Sequence, residues 1–139
     1  MPKHFILNLV CWLGISSLSL VAADDAVTVS SMAKGKTYSA TVTREHLAST
    51  PQWDGNGALP LSPGAARGKA QKVFQTIVPN SSDYTVTSIS LQNSENHWYY
   101  QITFFDLKHP IDVSHISTPF SIIVLLNGTV VPSHLEADK

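Results

Sequence analysis

Residues 61–80, LSPGAARGKAQKVFQTIVPN, are the stretch on which the fold turns. Ser62 is suited to cap a helix, because its hydroxyl can accept a hydrogen bond from an unpaired amide of the first turn. Pro63 at the first helical position gives up no hydrogen bond. Ala66, Ala70, Val73, Phe74 and Ile77 recur at i, i+4, i+7, i+8 and i+11, which is one face of a helix. Arg67, Lys69, Gln71, Lys72 and Gln75 fall away from that face. Pro79 ends the pattern. Gly68 costs about 1 kcal/mol relative to alanine in a helix interior. It marks either the close approach of another backbone or a tolerated weakness. The stripe grows from alanines to Val, Phe and Ile. Such a helix is expected to lie close on a sheet at its start and to plug the core at its end.

Downstream the sequence reads as strands. Residues 84–92, YTVTSISLQ, alternate, with Tyr84 and Val86 in one phase and Ile89 and Leu91 in the other. The change of phase predicts a bulge near Thr87 and Ser88. Residues 97–105, HWYYQITFF, put Trp98, Tyr100, Ile102 and Phe104 on one side. His97, Tyr99, Gln101, Thr103 and Phe105 fall on the other. Residues 120–126, FSIIVLL, follow a loop and lead into Asn127-Gly128, a dipeptide that favours a type I′ hairpin turn. Thr129, Val130 and Val131 return, and Pro132 stops them. Upstream, residues 37–43, TYSATVT, alternate as a half-buried strand, and residues 44–48 have room for one helical turn. Residues 49–63 hold three prolines and two glycines and exclude a regular element. Trp53 in that loop is expected to pin it to the core.

The chain begins with a positive Lys3, an almost unbroken apolar run over residues 5–20 and small residues at 21–23. That is the layout of a cleaved secretory signal over residues 1–23. The competing reading is a membrane anchor, which needs roughly 20 apolar residues; this run is shorter and carries Ser16, Ser17 and Ser19. Cys11 is the only cysteine and would leave with the signal, so no disulfide, thiolate metal site or cysteine nucleophile is expected in the remainder. Residues 24–36 are polar and small. A short strand over residues 26–30 competes there with a flexible leader, and the leader is preferred. Residues 37–132 are expected to form one domain, followed by a disordered tail at 133–139. After signal removal the charge is near neutral, eight Lys or Arg (nine less Lys3) against ten Asp or Glu. No basic run supplies the footprint of a nucleic-acid or anionic-membrane binder.

The order of elements predicts an α+β domain of two layers, one helix packed on an antiparallel sheet of four to five strands. Its helix with the Ser-Pro start, its hairpin ending in HWYYQITF and its closing SIIVLLNGTVV resemble PepSY-like domains and small exported bacterial proteins of that type. The resemblance covers residues 61–131 and contains no catalytic residues. It implies a cystatin-like arrangement and a role in binding or inhibiting peptidases.

Chemistry-bearing residues are few. His109, Asp112 and His115 form HxxDxxH in a loop, a spacing that can ligate zinc but lacks a helix to align it, so no metal or other cofactor is expected. Asp54-Gly55-Asn56-Gly57 opens like a calcium loop, but Ala65 stands where the twelfth-position acid belongs. No nucleophile elbow or phosphate loop occurs. Glu95 and His97 are near enough in sequence to pair at a hairpin surface. The face made by Tyr99, Gln101, Thr103 and Phe105 suits a protein or peptide surface, with solvation or cover by the amino-terminal segment as alternatives. The expected function is that of a secreted or periplasmic, non-enzymatic domain. It would bind a protein or peptide through this face or a sheet edge. An accessory module without a ligand is the alternative.

Overall fold

A computed structural model describes residues 25–108 and 119–137. The chain folds as mixed α+β with two antiparallel three-stranded sheets. In chain order the elements are β1 (Asp25–Ala33), β2 (Lys36–Thr43), α1 (Arg44–Ala48), α2 (Pro63–Ile77), β3 (Tyr84–Ser94), β4 (His97–Asp106), β5 (Phe120–Leu125) and β6 (Ser133–Leu135). One sheet has the order β1-β2-β6, the other β3-β4-β5. The expected single sheet of four to five strands is therefore divided in two.

Helix α2 forms as its sequence dictates. Ser62 Oγ accepts from Ala65 N at 3.2 Å, Pro63 opens the first turn, and the helix stops two residues before Pro79. Ala66, Ala70 and Phe74 are buried, and Val73 and Ile77 are half-buried. Phe74 stacks on Phe104 with centroids 4.1 Å apart and takes edge contacts from Tyr84 and Phe120. Gly68 meets nothing within 4 Å of where a Cβ would stand, so of its two readings the tolerated weakness holds.

Strand β5 is buried on both faces along all six residues. Phe120, Ile122 and Val124 join the cluster under α2. Ile123 and Leu125 join a second cluster with Ala40, Val42, Leu47 and Tyr99. The β1-β2 hairpin runs past the outer edge of β5. Tyr38 reaches the helix side, where its ring meets Phe120 and its hydroxyl donates to Ile77 O at 3.4 Å. Ser31 Oγ accepts from Ser121 N at 2.9 Å, and Val131 N donates to Ile123 O at 2.9 Å. The outer edge of β5 is thus occupied by hydrogen-bonding partners.

Residues 24–36 correct the expected leader. Their strand β1 pairs with β2 along its length and turns at Lys34 (φ 51°) and Gly35 (φ 74°), both left-handed as a type I′ turn requires. The tail is corrected in part, because residues 133–135 pair with β2. The turn at Asn127-Gly128 is also a correction. Gly128 N donates to Leu125 O at 2.8 Å, and positive φ in this loop is confined to Gly128. It is a type I turn closed by a left-handed glycine, the three-residue hairpin loop. A side chain at Gly128 would meet only the movable end of Lys69 at 2.9 Å, so it is the left-handed backbone (φ 87°) that favours glycine there. The type I′ geometry occurs instead at Glu95 (φ 49°) and Asn96 (φ 63°), between β3 and β4. The register shift at Val86/Ser88 is the predicted bulge.

Trp53 is half-buried and meets Trp98 edge-on at 5.2 Å, while Tyr100 Oη donates to Leu61 O at 2.7 Å. These contacts pin the loop between α1 and α2 over one end of the sheet's helix side.

Candidate functional site

Of the face expected to bind, Tyr99 is committed inside the fold, while Gln101, Thr103 and Phe105 stay half-buried. Tyr99 is 5% exposed and sits in the second core cluster with Ala40 and Val42 of β2. Burial raises its phenol pKa. Gln101 Nε2 donates to Ser121 Oγ at 3.0 Å, and Thr103 O accepts from Thr87 Oγ1 at 3.4 Å. Thr103 and Phe105 are half-buried. The four residues share a sheet face, but Tyr99 does not reach solvent as a contact group.

The unoccupied surface lies one strand away. β3 is an edge strand, and its outer side carries no partner strand among the described residues. It is long, 11 residues, and its sequence YTVTSISLQNS has no charge and no proline. Folded proteins commonly protect a strand edge with lysine, proline, short length, a bulge or a covering element. β3 keeps only the bulge.

Beside this edge runs a groove. Helix α2 packs mainly across β4 and β5 and reaches β3 through Phe74 on Tyr84, so the helix side of β3 is only partly roofed. By register, Val86, Ile89 and Leu91 share the face of Phe104, Ile102 and Tyr100. Ile89 is consequently 39% exposed, although its partner Ile102 is fully buried. The groove has a volume of about 220 Å³ and a floor of Phe74, Tyr84, Val86 and Phe104. Its helix wall is the row Arg67, Gln71, Gln75, at i, i+4 and i+8, and Ser81 and Ser82 close one end. Burial, the dominant cause, raises the Tyr84 phenol pKa.

The Ser81/Tyr84 end of the groove is held by charges. Asp106 is buried, and its Oδ2 accepts from Lys34 Nζ at 3.1 Å, while its Oδ1 accepts from Lys108 N at 3.0 Å. Asp83 Oδ1 accepts from Lys108 Nζ at 2.6 Å, and its Oδ2 lies 3.8 Å from Lys34 Nζ. The hydrogen bond from Lys108 lowers the Asp83 pKa, and the hydrogen bond to Asp106 raises that of Lys34. Lys34 also stands 5.7 Å above the Tyr84 ring. The β1-β2 turn is thereby tied to the entry of β3.

Other candidates resolve into local structure. His97 Nδ1 hydrogen-bonds to the Glu95 main-chain oxygen at 2.8 Å, while the Glu95 carboxylate takes Arg44 in a fork with a shortest distance of 3.2 Å. Asp54 Oδ1 accepts from Asn56 N at 2.8 Å, an Asx turn. His46 and Thr43 form a reciprocal cap at the start of α1. Among the described residues no group of three His, Cys, Asp or Glu could hold a metal ion, and no helix is long and apolar enough to cross a membrane. His109, Asp112 and His115 lie outside the described residues, as does the expected signal at 1–23. Sequence reasoning named a sheet edge in general terms but not β3. The run over residues 84–94 carries no charge and no proline, but its edge position comes from strand order, which the local sequence does not encode. Comparison with family models, with curated proteins and with solved structures finds no match.

Proposed function

We propose that this is an exported, non-enzymatic binding domain that takes an extended peptide segment of a protein partner by strand addition along β3. Added strands gain affinity from main-chain hydrogen bonds and specificity from the pockets that receive alternate side chains. The observation that carries the reading is the unpaired, uncharged 11-residue edge of β3 bordering an open groove. Within it we place the chain among PepSY-like domains, with α2 followed by β3, β4 and β5 as the helix-then-three-strands unit, and modulation of a peptidase as one form of the binding.

The test is capture from a cell-envelope extract by immobilised protein, wild type beside Ile89→Lys. A lysine on a strand edge opposes further pairing, and position 89 is exposed enough to accept it without disturbing the core. The expected result is a partner retained by the wild type and lost by the variant. Equal capture by both places the contact away from β3 and overturns strand addition there, and capture by neither favours an accessory module with no ligand of its own.

A further inference from the structure

We infer that the segment bound in the α2/β3 groove is acidic, carrying an Asp or Glu at the helix-facing position opposite Arg67, and that Arg67 selects it. The inference rests on strand addition at β3 and adds the chemistry of the ligand. Helix α2, PGAARGKAQKVFQTI, contains Arg67, Lys69 and Lys72 and no acidic residue. Of these, Arg67 lines the groove, whereas the Lys69 stem packs over Gly128 at the far flank. Arg67 is exposed and makes no ion pair with a described residue. The nearby acids are already engaged: Asp83 with Lys108 and Lys34, and Asp106 with Lys34. The groove wall therefore presents one uncompensated guanidinium followed by two amides, Gln71 and Gln75.

A strand laid on β3 sends every second side chain to the helix side, because successive side chains alternate across a sheet. The first such side chains meet Arg67, Gln71 and Gln75. A carboxylate there gains a forked hydrogen bond from the guanidinium, and a lysine there meets like charge. The same logic disfavours a second copy of this chain as the occupant. Its β3 brings no carboxylate, and its α2 adds more positive charge.

Selection from a displayed library of random peptides, each about ten residues and so long enough for one strand, tests this. The expected outcome is enrichment of Asp or Glu at one helix-facing position. Synthetic copies of the selected peptides should shift the amides of β3, and Arg67→Glu, confirmed as folded by circular dichroism, should weaken them by about tenfold, as expected for loss of a charge-assisted pair and gain of a like charge. Peptides that bind along β3 without acidic preference, or that are indifferent to Arg67→Glu, overturn the acidic ligand and leave strand addition standing. No enrichment, binding that leaves the β3 amides unmoved, or a dimer in sedimentation that Ile89→Lys dissociates, overturns both.

Discussion

At the scale of single residues, Phe74 and Gly68 sit two turns apart on one helix with opposite consequences. Phe74 is buried at the meeting point of Phe104, Tyr84 and Phe120. Phe74→Ala should destabilise the domain by about 3–5 kcal/mol, the usual cost of emptying an aromatic site, as read from urea unfolding. Gly68 faces open space. Gly68→Ala should add about 1 kcal/mol and raise the midpoint of thermal unfolding by several degrees. Asp83 sets part of the acid limb of stability. Its pKa in the folded chain lies below the ordinary value of 3.8 because Lys108 donates to it. Its contribution is therefore present above that value and is lost as pH falls through the lower folded pKa. Asp83→Asn should flatten the decline of stability below about pH 4, measured by denaturant titration across pH, while lowering stability at neutral pH. Lys34 acts in the other direction. Its raised pKa gives stability that is full below 10.5 and fades only at higher pH.

Elements show where sequence is legible and where it is not. Helix α2 was readable in its cap, its proline start, its stripe and its stop, because each signal is local and rests on side chains that act within one or two turns. The bulge in β3 was readable from the change of phase. Strand β1 was legible only in part, as a short strand over residues 26–30 that competed with a leader, because its turn uses Lys34 in a left-handed conformation, which lysine does not advertise. Asn127-Gly128 advertised a turn that the chain makes differently, since Leu126 has to stay in the core and only Gly128 goes left-handed. The unpaired state of β3 is a property of strand order, and no local pattern encodes it. Even so, the lack of charge in β3 has a measurable consequence. Ile89→Lys should leave the folded domain within about 0.5 kcal/mol of wild type, as expected of an exposed substitution, while lowering the tendency to associate at high concentration, measured by light scattering.

For the whole molecule, the division of labour follows from burial. β5 takes cover on both faces and on its outer edge, and so it anchors the domain. β4 lies between its partners. Cover decreases toward β3, which the helix meets through Phe74 on Tyr84, and there the groove opens. The face of Tyr99, Gln101, Thr103 and Phe105 looked available in the sequence because alternation alone cannot tell solvent from a second sheet. The amino-terminal hairpin, brought there by long-range packing, closes it over Tyr99. On the proposed function, stability and recognition fall at opposite edges of one sheet. Amide hydrogen exchange along β3, with and without a selected peptide, tests that arrangement most directly. Outward-pointing main-chain amides between residues 84 and 91 should exchange readily in the free protein and become protected in alternation when the peptide is added. Unaltered exchange along β3 in the presence of saturating peptide would contradict it.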